Sequence, residues 1–364
     1  MTKEIKNSRG SKSPVFIPLS AGGDLGALLR PNILSLKPYS SARDEFSGSA
    51  SVFLDANENP YDTGYNRYPD PHQLEVKKRI AEIKGVEPSQ IFLGNGSDEP
   101  IDLLFRAFCN PGIDNVVAIE PSYGMYTVSA AINDIEVKKV ILTDNFELES
   151  SKVLAAVNEK TKLIFLCSPN NPSGNLLDKK EIIHIMENFH GLVIIDEAYI
   201  DFAPGATLLP ELKNYPNLVL LQTFSKAWGL AGIRLGMAFA SAEIIAVLSK
   251  IKYPYNINSL TQQRVTQSLQ KSDEMEQWVK IIIDEREKLA KQLKQLSFVL
   301  KVYPSDANFL LVKMEGAREK FEYLMNQGVI LRDRTKVTLC DQCLRVTVGS
   351  PEENKELIEK LKNV

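Results

Sequence analysis

Three short apolar runs, each closed by a polar cluster, constrain this chain more than any other feature. Leu163-Ile-Phe-Leu-Cys167 leads into Ser168-Pro-Asn-Asn171-Pro172-Ser-Gly174. Leu192-Val-Ile-Ile195 leads into Asp196-Glu-Ala-Tyr199, and Leu218-Val-Leu-Leu221 into Thr223-Phe224-Ser225-Lys226. Continuous apolar runs bounded by turn signals fit strands buried on both faces, as in a parallel sheet under helices. Such a sheet binds ligands beyond the carboxyl ends of its strands. Asn171, Asp196, Tyr199 and Lys226 are therefore expected to converge on one crevice.

The residue types at those ends suit a particular chemistry. Lys226 closes a buried strand, is flanked by Ser225, and is followed by Arg234 in Gly229-Leu-Ala-Gly-Ile-Arg234-Leu-Gly236. An amine can bind an aldehyde as a Schiff base, while the hydroxyl and guanidinium take a phosphate; this is how proteins anchor pyridoxal phosphate. An aspartate such as Asp196 keeps the cofactor's pyridine nitrogen protonated. Tyr199 and Asn171 suit the ring's phenolic oxygen. Singly, each has a plain alternative: Asp196 as a helix cap or metal ligand, Asn171-Pro172 as a turn. The ordered set carries the reading.

Upstream, Ile91-Phe-Leu-Gly94-Asn-Gly96-Ser97-Asp98 precedes the apolar-rich stretch 101–108. Strand, glycine turn and helix in that order aim backbone N–H groups at an anion. Ser97 and Asp98 also suit ordinary N-cap positions. In Glu120-Pro-Ser-Tyr123-Gly-Met-Tyr126, after the run Val116–Ile119, Tyr123 suits either stacking on a cofactor ring or a place in the core.

With these motifs in place, the chain resembles the fold-type I pyridoxal-phosphate aminotransferases, and among them the histidinol-phosphate aminotransferase family. The resemblance runs from Pro38-Tyr39-Ser-Ser-Ala-Arg43 through Asp55-Ala-Asn57-Glu-Asn59-Pro60, Asn66-Arg67-Tyr68-Pro69 and the segments above. It ends in Leu331-Arg332-Asp333 and Leu344-Arg345-Val-Thr-Val-Gly349. It implies that Lys226 is the Schiff-base lysine and proton carrier, that Asp196 pairs with the pyridine nitrogen, and that Tyr199 and Asn171 contact the phenolic oxygen. Tyr123 would stack on the ring, with Ser97, Asp98, Ser225 and Arg234 around the phosphate. Tyr68 would reach the cofactor of a second subunit, which implies a homodimer. Tyr39, Asn57, Arg332 and Arg345 would bind substrate. An arginine pair can serve in turn a donor bearing a phosphate and glutamate bearing carboxylates, since the planar guanidinium fits both. The implied reaction interconverts histidinol phosphate plus 2-oxoglutarate and imidazole acetol phosphate plus glutamate. An aromatic amino-acid aminotransferase, or a decarboxylase of a phosphorylated amino acid, would use the same anion clamp.

The remaining composition is permissive. At 364 residues the chain has room for two domains, and a formal net charge of −3 favours no polyanionic partner, nucleic acid included. A regulator built on such a scaffold would need a DNA-binding module, and the first ~30 residues show no helix-turn-helix pattern. Cys340-Asp-Gln-Cys343 has redox spacing but lies between expected strands. His72, His184 and His190 fall in no motif, so no metal is expected. No apolar run is long enough for a membrane span, and free thiols fit the cytoplasm.

The expected organisation is an arm over 1–30, disordered or packed, and a lead-in over 31–70 that joins the smaller domain. A large cofactor-binding domain covers 71–255, with strands and helices alternating around a mostly parallel, seven-stranded-type sheet. A long or broken interdomain helix spans 256–296, and a small α+β domain 297–364.

Overall fold

The computed structural model describes residues 24–39 and 50–363. Its main sheet has seven strands: β1 (Ile91–Asn95), β2 (Asn115–Glu120), β3 (Glu136–Ile141), β4 (Thr161–Cys167), β5 (Leu192–Asp196), β6 (Leu218–Thr223) and β7 (Leu235–Phe239). Their order is β1-β7-β6-β5-β4-β2-β3. Neighbours from β3 to β6 are parallel, and β7 alone runs against both β6 and β1.

The uninterrupted apolar runs follow from this burial. Along β4, Ile164 and Leu166 enter one core, whereas Leu163, Phe165 and Cys167 enter the other. On β5, Val193 and Ile195 oppose Leu192 and Ile194 in the same way. From Leu163 to Cys167 and from Leu192 to Ile195 every position meets packed side chains, so a polar residue has no place within those runs.

Helices close both faces. Among the described residues the first eight are α1 (Asp24–Leu28), α2 (Pro31–Ser35), α3 (Leu74–Lys84), α4 (Asp98–Phe108), α5 (Met125–Ile132), α6 (Ser150–Ala156), α7 (Lys179–Asn188) and α8 (Ala242–Ile251). Asp178 caps α7 by accepting from Lys180 N, and Ser241 caps α8 by accepting from Ile244 N. The expected segment 256–296 is a broken helix, α9 (Ser259–Leu269) then α10 (Ser272–Leu293). Helix α10, about 33 Å long at 1.5 Å per residue, buries Val279 in the main-sheet core and Leu289 and Leu293 in a third cluster.

That third cluster belongs to an antiparallel sheet of β8 (Val299–Val302), β9 (Phe309–Met314), β10 (Arg332–Asp333) and β11 (Cys343–Thr347), ordered β10-β11-β9-β8. Helices α11 (Ala317–Asn326) and α12 (Pro351–Leu361) cover it through Leu324, Leu357 and Leu361. The small sheet is fastened over the carboxyl ends of the large one. Asp306 N donates to Gly174 O (2.7 Å), Leu176 N to Asp306 Oδ2 (2.9 Å), and Thr338 Oγ1 to Glu120 Oε1 (2.8 Å).

Residues 1–23 of the proposed arm lie outside the described residues. Residues 25–30 pack, with Leu29 6% exposed and Arg30 N donating to Ala107 O. The lead-in does not join the small sheet at its start. Lys250 Nζ holds Ile33 O (2.7 Å) and Leu34 O (3.0 Å), tying α2 to the C-terminal end of α8, while Arg30 just before it bonds Arg106 O and Ala107 O at the end of α4.

Candidate functional site

The polar clusters that follow β4, β5 and β6 lie close together. Strand β5 ends in Asp196, 2% exposed. Its Oδ2 accepts from Tyr126 Oη (2.8 Å) and its Oδ1 from Ala198 N (3.0 Å). Burial pushes this carboxyl up to about 6, although the two hydrogen bonds pull it back. A desolvated anion in that setting favours a cationic partner. The adjacent Glu197 points elsewhere, accepting from Leu208 N, Thr207 and Gln222, and so ties the following loop to β6.

Beyond β4, Asn171 Nδ2 donates to Tyr199 Oη (3.4 Å), and its Oδ1 accepts from Arg345 Nη1 (2.5 Å). Tyr199 is buried and packs edge-on against Phe309 of β9, with ring centroids 5.0 Å apart. Lys226 Nζ lies 5.5 Å from the Tyr199 ring centroid. The lysine is exposed to the crevice, yet protein surrounds it. Burial, with the charges of Arg345 and Arg234, holds its ammonium below the ordinary lysine range against the pull of Asp196 and Asp98. It therefore loses its proton more readily than a surface lysine.

A cradle stands at the other end. Gly96 has φ 72°, and a Cβ there would sit 2.7 Å from Arg234 Nη2. At Gly236 a Cβ would strike the backbone of Gly96 and Ser97 at 2.3 Å. Glycine is thus required for the β1–α4 turn to close on β7. Helix α4 begins there at Asp98, whose carboxylate accepts from Tyr123 Oη (3.0 Å) and stands 3.8 Å from Arg234 Nη2. Ser225 Oγ accepts from Thr223 Oγ1 (3.0 Å). A helix N-terminus, two serines and an arginine make a donor set suited to a phosphate monoester.

The small sheet adds arginines. Arg332 of β10 is the cross-strand partner of Arg345 of β11, and Arg345 buries an Nε with no acceptor. Tyr68 is half-exposed and stacks on Tyr255 at 4.5 Å. The next residue, Asn256, holds Leu93 O and Glu99 Oε1 beside the cradle.

Two expected substrate residues are not brought in. Tyr39 is 70% exposed in a shallow groove with Arg30, Arg106 and Lys250. This groove lies at the far end of the 11-residue α4 from Asp98, about 16 Å along the helix. The lysine contacts that anchor α2, just before it, hold it there. Asn57 is exposed, with φ 55°, and makes no hydrogen bond to these crevice residues.

The sequence reading missed Tyr126. Its one trace in the sequence is a second tyrosine three residues after Tyr123. A buried tyrosine hydroxyl needs a polar partner, and only the fold shows that partner to be Asp196.

A doubly covered sheet with a lysine, a buried acid and an anion cradle at its carboxyl edge defines a fold-type I transferase. Residues 49–361 match the model for aminotransferase class I and II, and the chain belongs to that family. Within it, the chain falls among the histidinol-phosphate aminotransferases. It is 57% identical to that enzyme of Parabacteroides distasonis over 341 residues, 94% of this chain and 99% of the relative. With that of Bacteroides thetaiotaomicron it shares 58% over 339 residues, 93% and 98% of the two chains. The solved histidinol-phosphate aminotransferase of Clostridium acetobutylicum superposes with a TM-score of 0.77 at 25% identity, covering 82% of this chain and 91% of that one. The Sinorhizobium meliloti enzyme, solved with pyridoxal 5'-phosphate, shares the fold, with a TM-score of 0.74 at 23% identity over 82% and 83% of the chains.

Proposed function

We propose that this protein transfers the amino group of L-histidinol phosphate to 2-oxoglutarate, giving imidazole acetol phosphate and L-glutamate, with pyridoxal 5'-phosphate bound at Lys226. The observation that carries this is the convergence of Lys226, buried Asp196 and the Arg332–Arg345 pair on one crevice. Relatives more than half identical over nearly the whole chain support the substrate.

The residues fit the cofactor. Ser97, Ser225, Arg234 and the α4 N-terminus suit its phosphate, as does the space that a Cβ at Gly96 would fill. Asp196 suits a protonated ring nitrogen, Asn171 and Tyr199 its phenolic oxygen, and Tyr123 a ring face. When bound, the cofactor supplies the aldehyde that accepts the amino group and a ring that takes up electrons.

The protein's own part is positioning and proton movement. Lys226 Nζ, with its proton loosely held, takes the proton from the donor carbon that bears the nitrogen and returns one in the second half-reaction. Asp196, held ionised by Tyr126 and Ala198, keeps a cation facing it. Arg345 is already placed by Asn171, so a substrate anion meets an oriented fork. The small sheet screens the crevice from water, and its closure on substrate fits arginines carried on β10 and β11.

We further infer a cytoplasmic homodimer. Half-exposed Tyr68, stacked beside the cradle, supports its reach toward a second subunit. Among the described residues no helix is long and apolar enough to cross a membrane.

The test is spectroscopic. Mixing the cofactor-loaded protein with histidinol phosphate should convert the aldehyde absorbance to that of the amine form, and 2-oxoglutarate should reverse it. A full change with phenylalanine but none with histidinol phosphate would replace the substrate. Release of carbon dioxide would replace the reaction.

A further inference from the structure

Arg334 has no role in the reading above, yet it shares a wall with the two arginines that do. The β10–β11 ladder pairs Arg332 with Arg345 and runs on, because Arg334 N donates to Cys343 O at 3.1 Å. Cross-strand partners share a face. Arg334 lies one residue past β10, still held to β11 by that bond and close enough to Arg332 and Arg345 to feel both charges, while Asp333 turns away to bind Arg318 (2.6 Å) and Thr335 (2.8 Å).

Among the described residues, none of the three has a carboxylate partner. Arg345 has one hydrogen bond to a neutral amide, and Arg334 and Arg345 each bury an Nε with no acceptor. Arg318, by contrast, is neutralised twice, by Glu322 and Asp333. Burial and the two neighbouring arginines pull Arg334 down to about 10, and its charge reaches Tyr199 inside the crevice. Three unpaired guanidinium groups on one wall repel each other until an anion arrives. A phosphate monoester carries about two negative charges at neutral pH, and a carboxylate one.

We propose that Arg334 is a specificity-determining residue, a third guanidinium that contacts the phosphate monoester of the amino donor, while Arg332 and Arg345 suffice for the carboxylate of glutamate. This rests on the proposed reaction. Arg334→Gln and Arg334→Lys in the cofactor-loaded enzyme test it. Losing a charge-assisted hydrogen bond should raise KM for histidinol phosphate about 10- to 100-fold with kcat within about threefold. KM for glutamate should move less than about threefold, and the lysine variant should recover part of the loss. An unchanged KM for histidinol phosphate, or an equal rise for both substrates, overturns the proposal. If the wild-type enzyme does not turn over histidinol phosphate, it is the reaction that fails, and a second measurement on that same protein still decides the role of Arg334. Phenylglyoxal labelling of the wild-type holoenzyme, mapped by peptide with and without inorganic phosphate, should show Arg334 protected. Labelling of Arg334 unaffected by phosphate counts against it, whether or not the variants fold.

Discussion

Asp196→Asn should stabilise the cofactor-free protein and cripple the loaded one. Asp196 is 2% exposed, and its pKa rises from 3.8 in the unfolded chain to about 6. A folded state that holds its proton longer binds more protons between about pH 4 and 6, so stability falls as pH rises through that window. Two units at 1.36 kcal/mol each amount to about 3 kcal/mol of ionisation penalty at neutral pH. Asparagine matches the protonated acid in shape and carries no such penalty. Its carbonyl can accept from Ala198 N, and its amide can donate to Tyr126. The apo variant should therefore resist urea better than the apo wild type at pH 7.5, by up to about 3 kcal/mol. The gap should shrink by about 1.4 kcal/mol per unit below pH 6. Trp228, buried two residues from Lys226, gives a fluorescence readout. With cofactor bound the order should invert, because the variant no longer faces the ring nitrogen with an anion. An apo variant less stable than wild type, or a gap that ignores pH from 5 to 8, would refute the electrostatic account of this site.

Other perturbations test neighbouring parts. Lys226→Ala should keep the fold, since the side chain is exposed, and lower turnover by more than about 10⁴-fold in a coupled glutamate assay; residual activity near wild type would remove Lys226 from the chemistry. Tyr126→Phe leaves an Asp196 oxygen without its 2.8 Å donor and should weaken cofactor affinity about 10-fold or more in an absorbance titration. Unchanged affinity would mean that hydroxyl is mere packing. Gly236→Ala drives a Cβ to 2.3 Å from the Gly96–Ser97 backbone, so a loss of about 1–3 kcal/mol in stability and weaker cofactor binding are expected, read by thermal melts with and without cofactor.

The strands that carry the site were legible because burial on both faces leaves a plain trace: apolar at every position, then suddenly polar. Asp196 and Lys226 stood at those transitions. Tyr126 was not legible, because a helix with one buried face places tyrosines in cores for many reasons, and nothing local names the acid it will meet. The reversal of β7 was equally hidden. Leu235–Phe239 looks like any buried strand, and its direction is fixed by the turn that brings Gly236 against Gly96. Tyr39 shows what spacing cannot carry: its sequence context resembles a substrate site, whereas its place in this chain follows from Lys250 holding the carbonyls of Ile33 and Leu34 just before it. Arg334 lay in plain view beside Arg332, and only the fold showed that it also lies near Arg345.

The partner chosen by Arg345 has a consequence for how this crevice idles. Asn171 is an amide, so the guanidinium is parked without being discharged. An aspartate at 171 would form a charge-neutral latch between the two sheets, and each incoming anion would first have to break an ion pair in a poorly hydrated place. The amide sets a cheaper toll: it fixes the direction of the fork, yet offers a substrate's oxygens an exchange they win on charge alone.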